Sequence, residues 1–106
     1  MEQIHNQQNT LNKELFYIGD QIYHLNERLS YLKQKIFILK DEYNKNKSEK
    51  IRNEITNHST EFNKLLEKKR EYILQRDQNY KKSAKLQREF HNIIKKQVRD
   101  ILFQSK

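Results

Sequence analysis

Between residues 4 and 43 the apolar side chains recur in two interleaved series with a period of seven. One series is Ile4, Leu11, Ile18, Leu25, Leu32 and Leu39; the other is Leu15, Ile22, Leu29, Ile36 and Tyr43. Alternating steps of three and four put both series on one side of an α-helix, as the seam of a coiled coil requires. No polar residue interrupts the seam from Leu11 to Tyr43, so all ten of its members over that span are expected to pack against a partner helix. Gly19 falls inside this helix beside the seam, at a cost of about 1 kcal/mol relative to Ala, and is read as tolerated. With one Gly, no Pro and 34% hydrophobic residues, a compact sheet or Rossmann-type fold is not expected.

The repeat then fails: counting in sevens from Tyr43 gives Lys50, Asn57 and Lys64. Two breaks suggest themselves. Asn44–Ser48 has Asn residues that tolerate a left-handed backbone and a Ser able to cap a new helix, and Asn57–Thr60 is similar, with Ile51 and Ile55 forming a short helical tip between them. From Phe62 a second, broader stripe runs through Leu65/Leu66, Tyr72/Ile73, Tyr80, Leu86, Phe90, Ile93/Ile94 and Ile101, interrupted by Lys69, Arg76 and Ser83.

The expected fold is therefore all-α, two long antiparallel helices forming a coiled-coil hairpin. Residues 1–106 form one unit, with helix over 3–45, a tip over 46–59 and helix over 60–104. An extended, interrupted coiled-coil rod is the alternative. Facing residues are expected to have numbers summing to about 105. That register sets Tyr43 against Phe62, Leu39 against Leu66, Leu25 against Tyr80, Leu15 against Phe90 and Ile4 against Ile101. Its apex lies near residue 52, and each arm is roughly 60 Å long at 1.5 Å per residue.

The first helix carries a further apolar row, at the b and c positions of its heptad: Phe16, Tyr17, Tyr23, Tyr31, Phe37 and Ile38. Its mate cannot cover this row. Leaving it in water forgoes several kcal/mol at about 25 cal/mol per Å². Phe16, Tyr23, Tyr31, Phe37 and Ile38 are accordingly expected to form a second contact face, for another copy or a different helical protein.

The net charge of +8 is unevenly divided. Residues 1–43 carry −1, residues 44–60 carry +2 and residues 61–106 carry +7. Lys68, Lys81, Lys82, Lys85, Arg88, Lys95, Lys96 and Arg99 form a basic face on the second helix. Such a face keeps a coiled coil soluble, steers an acidic protein partner, or binds nucleic acid through phosphates alone. Nucleic acid ranks below protein, because no base-reading motif is present and Lys outnumbers Arg.

No catalytic, cofactor or metal site is expected. His5, His24, His58 and His91 show no three- or four-residue pairing, and there is no nucleophile elbow, phosphate loop or dinucleotide fingerprint. Cysteine is absent. With no apolar stretch near the ~20 residues of a membrane span and no signal-like N-terminus, an intracellular, cytoplasmic location without membrane insertion is expected. In length, charge and helical layout the chain resembles flagellar and type III secretion stalk proteins and chaperones of the tubulin-folding cofactor A type. That resemblance implies a stalk-like or chaperone-like helical hairpin and carries no residue across. The residues themselves point to a non-enzymatic coiled-coil scaffold or adaptor subunit, with non-specific nucleic-acid binding as the rival.

Overall fold

The structure, a computed structural model, describes residues 2–104. They form two helices, α1 (Glu2–Lys45) and α2 (Glu49–Gln104), with no strand among the described residues. The fold is an all-α hairpin.

Only Asn46, Lys47 and Ser48 separate the helices. The Asn46 N–H closes the last turn of α1 on the Glu42 carbonyl at 2.8 Å, and the Ser48 N–H reaches the Asn46 carbonyl at 2.7 Å. The Ser48 carbonyl accepts the Arg52 N–H at 3.1 Å, which makes Ser48 the N-cap of α2. No described residue has a positive φ, so the reversal uses no left-handed Asn.

The tip expected over 46–59 shrinks to these three residues, and α2 starts at Glu49 rather than at 60. Asn57–Thr60 stays helical. The Thr56 and Thr60 hydroxyls donate back to the Arg52 and Thr56 carbonyls at 3.1 and 2.9 Å instead of capping a new helix. Gly19 is helical too, and a Cβ placed there meets no atom within 4 Å, in keeping with a tolerated residue.

The chain divides into two compact units, Gly19–Leu74, and Met1–Ile18 with Gln75–Lys106. In Gly19–Leu74 the α1 seam is strongly buried: Leu32 is fully inaccessible and Leu25, Leu29 and Leu39 are buried, while Ile22, Ile36 and Tyr43 are half-buried. From α2, half-buried Ile51, Ile55, His58, Phe62, Leu65, Lys69 and Tyr72 face inward. Their spacing of four and three is a heptad that starts afresh at Ile51. Arg28 clasps Glu61 across the pair, its Nη2 and Nε at 2.9 and 3.0 Å from one carboxylate oxygen. At this exposure the bridge contributes about 0–1 kcal/mol.

The other unit has a more polar seam. Leu11 and Ile18 are buried and Ile4 and Leu15 half-buried on α1. The α2 side supplies half-buried Arg76, Ser83, Leu86 and Ile93, with Asn79 the one residue of α2 buried outright among those described. Gln8 and Ser83 satisfy each other twice. The Ser83 hydroxyl donates to Gln8 Oε1 at 3.0 Å and Gln8 Nε2 donates to the Ser83 carbonyl at 3.1 Å. Asn79 Nδ2 donates to Glu14 at 3.0 Å. Arg76 Nε is buried without a hydrogen bond, with the Asp77 carboxylate 3.7 Å away.

These interhelical bonds join residues whose numbers add to between 89 and 93. With the turn centred on Lys47, the two seams oppose each other at sums near 94: Leu39 with Ile55, Leu32 with Phe62, Leu15 with Asn79, Ile4 with Phe90. The expected sum of 105 is therefore wrong by about eleven residues. Eleven residues are close to three helical turns, so the false register presents almost the same face of α2. Tyr80 and Ile101, expected in the seam, are 56% and 64% exposed.

A cysteine pair tests the register in this cysteine-free chain. Leu15→Cys with Asn79→Cys should form an intramolecular disulfide under mild oxidation, read by mass spectrometry after proteolysis. Leu15→Cys with Phe90→Cys should not.

Candidate interaction surfaces

Once the seam is turned toward α2, the b and c positions of α1 necessarily point the other way. Phe16 is 81% and Phe37 75% exposed, and Tyr17, Tyr23, Tyr31 and Ile38 are each more than half exposed. The second contact face read from the sequence is thus left open to solvent by the hairpin. The seam residues Leu11, Leu15, Ile18, Ile22, Leu25, Leu29, Leu32, Ile36, Leu39 and Tyr43 are all buried or half-buried, used up in packing α1 on α2.

Polar neighbours hold parts of the exposed row in place. The Arg28 guanidinium, already paired with Glu61, lies over the Tyr31 ring at 5.1 Å from its centroid, a cation–π contact. Tyr23 meets the His24 ring edge-on at 5.6 Å, and His24 lies 3.5 Å from Asp20 and 3.9 Å from Glu27. A hydrogen bond from the Tyr23 phenol to Glu27, helped by that carboxylate's negative charge, raises the phenol above its ordinary pKa of 10.0. Near the turn, Phe37 and Ile38 border a shallow groove with Ser30, Gln34 and Phe62.

The basic face is also exposed throughout: Lys68, Lys81, Lys82, Lys85, Arg88, Lys95, Lys96 and Arg99 all lie in solvent. Lys69 and Arg76, which interrupt the apolar stripe of α2, are half-buried in the seam, where long aliphatic stems can cover apolar surface. Val98, Ile101, Leu102 and Phe103 are exposed as well.

The seam of α2 escaped the sequence reading because its true lines mix polar residues with apolar ones. The signal was there: sevens counted from Ile51 run through His58, Leu65, Tyr72, Asn79, Leu86 and Ile93. The corrected register also brings His5 and His91 to one groove, with Ile4, Gln8, Gln87 and Phe90. Among the described residues no group of three or more His, Cys, Asp or Glu is arranged to hold a metal ion, and no helix is long and apolar enough to cross a membrane.

No family model matches the chain, and comparison with curated proteins and with solved structures returns no match.

The Tyr23–Glu27 bond has a measurable signature. Glu27→Gln removes the charge that disfavours the phenolate, so the Tyr23 titration followed by ring NMR should move down toward 10.0, while the other tyrosines stay put.

Proposed function

We propose that the protein is a non-catalytic coiled-coil structural or adaptor subunit that assembles with itself or with other helical proteins in a larger complex. The observation that carries this reading is the apolar row on the back of α1. Six large side chains at helical spacing stay more than half exposed although the hairpin has completed its own seam. Exposed single aromatics are ordinary, but six large apolar side chains recurring at the b and c positions of one helix mark a surface that is covered in use. At about 25 cal/mol per Å², covering it is worth several kcal/mol.

Gentle cross-linking of extracts that contain the chain at its native level tests the reading. The chain should be recovered in species heavier than its own 13.1 kDa, and Phe16→Ser with Phe37→Ser should return it to the free form. Recovery of the unsubstituted chain only as a free monomer would remove the proposal.

A second reading draws on the basic face. Residues 81–99 hold seven Lys or Arg and a single acid, Glu89. Such a strip suits phosphate contacts without base reading. On this reading, retardation of a random-sequence duplex falls steeply with added salt, and neutralising Lys81, Lys82, Lys85 and Arg88 together flattens that salt dependence. Failure to retard any polynucleotide at low ionic strength discards it.

A further inference from the structure

Within Gly19–Leu74 the two flanks of the hairpin seam are built differently. On one flank Arg28 bridges to Glu61 at 2.9 Å. The next members of those two lines, at a step of seven, are Lys35 and Glu54, opposite in charge and both half-buried. That flank carries matched charge. The other opens as a groove, floored by Ile36, Phe37 and Phe62, with the small side chains Ser30 and Ser59 leaving room between the two helices. The lines of Ser30 and Ser59 continue at sevens as Tyr23 and Phe37 on α1, exposed, and as Leu66 and Ile73 on α2, half-buried. Walls that repeat every seven residues match the repeat of a third α-helix laid along them.

Charge chooses the kind of helix. Lys33 and Lys40 line the groove. Arg52 lies seven residues before Ser59, and Arg70 seven after Asn63, on the two lines by which α2 borders it. Against these four cations the wall lines of this unit hold one acid, Glu49 beside the turn. A second copy presenting the same groove would set cation against cation. Phosphate would satisfy the cations but has no use for the apolar floor. A helix with an apolar side and acidic edges satisfies both. We infer that this groove takes an amphipathic helix of a different protein, apolar where it enters between Ser30 and Ser59 and acidic along its edges. This rests on the assembly reading above and names the chemistry of one partner. Docked there, such a helix would cover Phe37, which the hairpin leaves 75% exposed.

The probe is a synthetic peptide of about three heptads, with Leu at its two seam positions and Glu at the flanking ones. Its own like charges oppose self-pairing at neutral pH. Followed by fluorescence anisotropy, it should bind the full chain at roughly micromolar concentration, and a version with Lys for Glu should bind about tenfold more weakly or worse. Lys33→Glu with Lys40→Glu turns four cations and one acid into two and three, and should erase that preference. Both side chains are exposed, so the helical spectrum should be kept. Ser30→Tyr, which fills the recess, should weaken the acidic peptide by a similar factor. Neutralising Lys81, Lys82, Lys85 and Arg88 together, in the other unit, should leave the preference in place.

No binding, equal affinity for the two peptides, or a preference that survives Lys33→Glu with Lys40→Glu overturns the inference. So does a preference lost when the four α2 residues are neutralised instead. A dimer of the chain that excludes the acidic peptide also overturns it, and gives the groove to a second copy. In each of these cases heavier species in native extracts, released by Phe16→Ser with Phe37→Ser, would leave the broader assembly reading standing. Only their absence would remove that as well.

Discussion

The three-residue turn at Asn46–Ser48 sets every other pairing in the molecule. Once Ser48 begins α2, the register of two uninterrupted helices is determined by counting, and no Gly or Pro downstream can reset it. The turn thereby decides that Leu32 is the fully buried point of its unit and that Asn79, not Tyr80, enters the seam. It also decides which surfaces are left over. A different loop length would rotate α2 and exchange its seam for its flank.

Within that constraint the two units are held differently. Gly19–Leu74 depends on aliphatic burial, with leucines at consecutive layers and one exposed salt bridge across the pair. In the other unit, polar side chains take seam positions and are satisfied by one another. Gln8 with Ser83 and Asn79 with Glu14 replace apolar layers by hydrogen bonds that few alternative registers could reproduce. Such layers add less stability than leucine pairs while penalising slippage, since any shift would leave polar groups buried and unpaired.

The helical class and the seam of α1 were legible in the sequence because a seven-residue repeat of Leu and Ile has one economical solution. The exposed row of Phe16, Tyr23, Tyr31, Phe37 and Ile38 followed directly, since b and c positions point away from a and d. The register was not legible. Leu66, Ile73 and Ile94 form an apolar line that flanks the true seam of α2 and outshines it, because Lys69, Arg76, Asn79 and Ser83 make the real line look polar. A displacement of three helical turns leaves facing residues chemically similar, so pattern matching alone could not separate the two registers. The tip was overextended for a local reason. Asn, Ser and Thr signal caps, yet at Thr56 and Thr60 their hydroxyls are absorbed by the preceding turn.

The polar layers have a kinetic meaning too. Water can take over the bonds of Gln8 and Ser83 one at a time, without first opening a dry interface. Parting the two helices there accordingly exchanges protein hydrogen bonds for water ones, at less cost than parting the leucine layers of Gly19–Leu74.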